Sequence, residues 1–156
     1  MRHFIGFLIG LVVTAALLVG GGWSVSEIAN AVPATGPTDS DRLWTGLGVM
    51  AAVGLVLGIV AIGPISPLAS FVPSIVLLSW TVVFALDTPR ALSIIPRDSS
   101  LHEVLLTAGV GNLALLRTGL FGLLGVLLFV PVLLPSRWAP RHADGEDDDE
   151  SESGYY

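Results

Sequence analysis

Residues 43–86 read LWTGLGVMAAVGLVLGIVAIGPISPLASFVPSIVLLSWTVVFAL, and this stretch decides the fold. It holds no charged residue. The hydrocarbon core of a bilayer is crossed by roughly 20 mostly apolar helical residues, each rising about 1.5 Å, and residues 43–62 and 68–86 each meet that length. Gly63-Pro64-Ile65-Ser66-Pro67 separates them, and two prolines cannot continue a helix. The stretch is therefore expected to form a tight membrane-crossing hairpin. Asp39, Ser40 and Asp41 precede it as good N-cap residue types, and Asp87 closes it. Pro73 should loosen or kink the first turns of the third span, because its ring clashes with the preceding turn and it has no N–H to donate.

Outward from the hairpin, two more runs are long enough to cross. Residues 4–22 carry Thr14 as their only polar side chain and end at Gly20, Gly21, Gly22 and Trp23. Residues 118–134 lie between Arg117 and Pro135. Between the third and fourth spans, residues 104–116 are apolar but short, and we read them as a separate helix lying at the interface. Ser100-Leu101-His102-Glu103 has the capping-box pattern, and His102, Glu103, Thr107 and Arg117 share one polar arc, which Asn112 violates. The competing reading is one long kinked helix from Leu101 to Leu134. The expected fold is all-α: an antiparallel bundle of four transmembrane helices within residues 1–138, with a short interfacial helix before the fourth. Residues 139–156 are expected to be a disordered acidic tail.

The composition agrees. Of 156 residues 53% are hydrophobic and 13% charged, more apolar than a soluble domain of this size requires. All seven basic residues are Arg, and seven of the thirteen acids fall between Asp144 and Glu152, so the net charge of −6 belongs mostly to the tail. With no basic stripe there is no nucleic-acid partner to expect. With no cysteine there is no disulfide, thiolate metal site or thiol catalysis. His3, His102 and His142 lack ligand spacing, so no metal is expected. No catalytic motif or phosphate-cradling loop is present, so neither a catalytic nor a cofactor-binding residue is assigned. The spans contain no ionisable residue away from their ends, which weighs against proton-coupled transport.

Several residue patterns invite structural roles. Gly6 and Gly10, Gly54 and Gly58, and Gly119, Gly122 and Gly125 have spacings that let membrane helices approach closely, within the chain or between copies. Ser70, Ser74 and Ser79 lie on the third span, where hydroxyls usually bond back to their own helix. Asp87, Arg90, Arg97, Glu103 and Arg117 are a candidate outer polar cluster, although ion pairs at loop borders are usually structural. Trp23 and Trp44 suit one membrane interface and Trp138 with Arg137 the other, while Trp80 lies deeper and should pack.

A secretory signal would also place Arg2 before an apolar run and offer Ala29-Asn30-Ala31 as a small-x-small site. The run here exceeds the usual 7 to 15 residues and the site lies well past its end, which favours an uncleaved anchor. Arg2 before the first span, against Glu27 as the only nearby downstream charge, places both termini in the cytoplasm of a plasma-membrane protein.

The MRHFIGFLIGLVV start, PISPLAS at Pro64 to Ser70 and LLPSRW at Leu133 to Trp138 resemble small four-span membrane proteins of high-GC actinobacteria. The resemblance implies the four-span fold and carries over no catalytic residue. The function expected is that of a non-enzymatic accessory or envelope-organising component that contacts membrane lipids and another membrane protein. The alternative is a small transporter or channel with the third span as pore element, and a polar cavity deep in the bundle would favour it.

Overall fold

The computed structural model describes residues 2–62, 68–95 and 102–133. It is all-α. The first helix runs without interruption through α1 (Arg2–Ala15), a π-helical segment (Ala16–Gly21) and α2 (Gly22–Ala31), 28 residues from Phe4 to Ala31. Then follow α3 (Ser40–Ile62), α4 (Leu68–Leu86), α5 (Thr88–Ser93), α6 (Glu103–Arg117) and α7 (Leu120–Leu133). Among the described residues three helices are long and apolar enough to cross a membrane, and α6 with α7, bent by 79° at a short break, makes a fourth if the pair is one span.

Local chemistry sets the boundaries. Asp39 starts α3 by accepting the Arg42 N–H at 3.2 Å on Oδ1, and Asp87 starts α5 by accepting the Arg90 N–H at 3.1 Å, each satisfying a donor that the first helical turn leaves free. At the break between α6 and α7, Gly119 takes φ +73°, a left-handed conformation open to glycine and costly for other residues. The Thr118 hydroxyl donates to the Ala114 carbonyl at 2.9 Å, satisfying the end of α6.

The first helix does not end at Gly20 to Gly22 as expected from sequence. It continues for more than two turns past Gly22, with Gly20 against Val53 of α3 and Gly22 against Ala108 of α6, and Trp23 is a half-buried residue within it. The separate helix expected between the third and fourth spans is present as α6. Its cap is His102, whose Nδ1 accepts from the Val104 N–H at 3.4 Å, and Glu103 is its first residue; Ser100 and Leu101 of the capping-box pattern lie outside the described residues. α6 packs against α2 and buries Ala108, Gly111, Asn112, Leu115 and Leu116, so Asn112 belongs to its packed face.

α4 packs on α1 and α7, and α2 packs on α3 and α6. One apolar cluster joins Leu17, Leu77, Leu115, Leu116, Phe121 and Leu128, and a smaller one joins Val13, Val60 and Ala69. Trp80 packs on Phe121 with ring centroids 5.7 Å apart, and its indole N–H donates to the Ala91 carbonyl at 3.2 Å, tying α5 to α4. α4 runs helically through Pro73, which is buried. Pro73 leaves the Ala69 carbonyl without its usual N–H donor. That carbonyl lies 3.2 Å from the point where a Cβ on Gly10 would stand. The discontinuity thus faces protein, one of the settings in which membrane helices tolerate it.

Candidate functional site

Three contacts repeat one arrangement, in which a serine on one helix meets a glycine on the next. The Ser24 hydroxyl donates to the Gly46 carbonyl at 2.6 Å, joining α2 to α3. The Ser26 hydroxyl donates to the Thr107 carbonyl at 2.8 Å, joining α2 to α6 beside Gly111. The Ser74 hydroxyl donates to the Gly125 carbonyl at 2.8 Å, joining α4 to α7. Glycine lets the backbones approach, and the short serine side chain then reaches the neighbouring helix's carbonyl. Thr14 and Thr81 instead donate to carbonyls of their own helices at 2.7 and 2.8 Å. The back-bonding expected of the third-span serines is not what Ser74 does.

The α2–α6 crossing is the closest. A Cβ on Gly111 would collide with the Gly22 carbonyl oxygen, and one on Gly22 would collide with the Ala108 carbonyl and stand 2.5 Å from the Asn112 Oδ1. Gly22-xxx-Ser26 faces Thr107-xxx-Gly111, a small-xxx-small pairing visible in the sequence once the first helix is known to continue. Asn112 is buried, and its Oδ1 has no hydrogen-bond donor among the described residues. Beside this crossing runs a groove of about 300 Å³ whose walls are mainly apolar, with Asn30 and Thr107 among its polar residues.

The glycines read from sequence separate into distinct roles. Gly6 is buried. Gly10 faces α4, with the Val72 Cβ 2.9 Å from its notional Cβ; Gly122 faces Thr81 at 3.2 Å and Gly125 faces Leu78 at 2.8 Å. Gly119 forms the break and has open space before it. Gly54 and Gly58 pack on none of the described residues: a Cβ on either meets nothing within 4 Å.

Among the described residues Asp87, Arg90, Glu103 and Arg117 do not come together as an outer polar cluster. Asp87 caps α5 and Arg90 is exposed, while Glu103 and Arg117 occupy opposite ends of the 15-residue α6, roughly 21 Å apart along its axis. Arg97, Arg137 and Trp138 lie outside the described residues. Arg42 instead approaches Glu27 and Asp39, each at 3.8 Å. Trp44 is exposed near the start of α3. Among the described residues no three His, Asp or Glu side chains converge on a metal-sized site.

Compared with known proteins, the chain matches no family model, no curated protein and no solved structure at a significant level.

Proposed function

We propose that this multi-pass membrane protein is a non-enzymatic accessory or envelope-organising component of the plasma membrane, with both termini cytoplasmic, that works by contacting another membrane protein. The observation that carries this reading is α3. Only 11% of its apolar window is buried, against 33% for the first helix and 28% for α4, and Gly54 and Gly58, one turn apart, meet no described residue. A face with glycines at this spacing lets a second helix approach closely in lipid, where packing rather than hydrophobicity holds helices together.

The transporter reading placed the pore along the third span. Weighing against it, Ser70, Pro73 and Ser74 of α4 are buried, Ser74 is bonded to α7, and the Pro73 discontinuity faces Gly10. The test is co-purification from the native membrane in mild detergent, comparing wild type with Gly58→Leu. A stoichiometric membrane-protein partner retained by wild type and lost by a folded Gly58→Leu protein supports the proposal. A partner-free protein that conducts a solute in liposomes overturns it.

A further inference from the structure

The helices form two groups according to what holds them together. α2, α3 and α6 make one group: Ser24 bonds to Gly46, Ser26 bonds to Thr107, and Gly22 packs backbone to backbone on Gly111. α1, α4 and α7 make the other, joined by Gly10 on Val72, Gly125 on Leu78 and Ser74 bonded to Gly125. The groups meet through apolar side chains, at Leu17, Leu77, Leu115, Leu116 and Phe121 and again at Val13, Val60 and Ala69.

Within the described residues the chain passes between the groups twice, each time at a departure from regular α-helix: a change of register within a continuous helix in the first case and a bend of 79° in the second. The first passage is the π-helical segment Ala16–Gly21 and the second is Thr118-Gly119. The two breaks flank the same apolar cluster, since Leu17 lies in the π segment, Leu115 and Leu116 precede the second break, and Phe121 follows it.

We propose that the bundle is a two-body hinge in which α2–α3–α6 tilts as a unit against α1–α4–α7 about the Leu17–Leu77–Leu116–Phe121 contact. Close glycine packing and hydrogen bonds fix the geometry inside each body. The contact between the bodies is apolar, and lipid, as apolar as leucine, gives such a contact no hydrophobic penalty for sliding. A few residues at the ends of elements are what absorb the backbone change in hinge and shear motions. Gly119, at φ +73°, lacks the Cβ that would confine its backbone to one region and can take up such a change. A π-turn can likewise yield locally, and π-turns recur at functional sites. The inference rests on packing alone and is independent of what α3 contacts.

The test is pulsed electron spin resonance on the whole protein in lipid nanodiscs, using pairs of spin-labelled cysteines at exposed positions of a chain that has no cysteine of its own. Leu55→Cys with Val110→Cys reports within one body, Val82→Cys with Leu127→Cys within the other, and Leu55→Cys with Leu127→Cys between them; all four native residues are exposed. Expected are a single narrow distance for each within-body pair and two populations, or a distribution at least twice as wide, for the between-body pair. Gly119→Ala, which disfavours the left-handed backbone, should shift the ratio of the two populations several-fold while leaving both within-body distances unchanged. A between-body distribution as narrow as the other two, or equal broadening of all three, overturns the hinge.

Discussion

Gly111→Ala should be the most damaging single-methyl change among the glycines of this bundle. The added Cβ would collide with the Gly22 carbonyl oxygen and stand 2.6 Å from the Gly22 carbonyl carbon and 3.0 Å from the Ser26 Oγ. Two of these atoms are backbone, so no side-chain rotation relieves the contact, and α2 and α6 must part by on the order of 1 Å at ordinary packing distances. Overpacking of this kind costs about 1–3 kcal/mol. Parting also stretches the 2.8 Å Ser26 to Thr107 hydrogen bond, and bonds of this class in membrane bundles contribute about 0.6 kcal/mol on average. Alanine's better helix propensity returns roughly 0.5–1 kcal/mol, leaving a net loss of about 2 kcal/mol. Gly58→Ala has no steric term, since nothing lies within 4 Å of its notional Cβ, so it should be neutral or slightly stabilising. The assay is unfolding of both variants by added SDS from mild-detergent micelles, followed by circular dichroism and tryptophan fluorescence. Wild-type resistance in Gly111→Ala together with a weakened Gly58→Ala would refute the packing argument, because it would exchange the crowded and open positions.

Asn112→Ala should leave stability unchanged or raise it, since it removes a buried amide whose Oδ1 lacks a donor; a loss above about 2 kcal/mol in the same SDS titration would show that the amide has a strong partner. Orientation is tested in intact cells with an impermeant thiol reagent, which should label Thr35→Cys and Ser93→Cys, both at exposed positions, but not Ser153→Cys; the opposite pattern inverts the topology. A chain ended after His142 should still insert and keep its oligomeric state in size-exclusion chromatography, because the segment removed is acidic and nearly without apolar surface. Aggregation of the truncated chain alone would make the tail structural.

The sequence discloses α3 and α4 because continuous uncharged runs of bilayer length have few other fates, while the tight turn expected at residues 63–67 lies outside the described residues. It also discloses the end of the third span at Asp87, the packing role of Trp80 and the separateness of α6. The first helix is misjudged because Gly20-Gly21-Gly22 reads as a terminus in isolation. In a membrane bundle glycine is retained inside helices where another backbone approaches, and only the fold reveals that α6 does so at Gly22. The candidate site is hidden for a related reason. Gly54-xxx-Gly58 and Gly22-xxx-Ser26 have the same spacing, and spacing defines a stripe on a helix without saying whether that stripe meets a neighbour. Ser74 and Thr81 both lie against a glycine of α7, yet Ser74 donates across to Gly125 and Thr81 back to Leu77, a difference that residue type and spacing do not disclose. Nothing in the residues 16–21 composition marks a π-turn, because π-turns follow from the register that packing demands on either side.

The proposal that α3 presents a contact face is tested most directly by photocrosslinking in the native membrane from three positions in turn: Leu55 and Ile59 on α3, and Val126 on α7, all exposed in the isolated chain. A discrete protein adduct of one size from Leu55 and Ile59, with only lipid adducts from Val126, is the predicted result. Lipid adducts alone from all three positions, or the same protein adduct from every position, would contradict it.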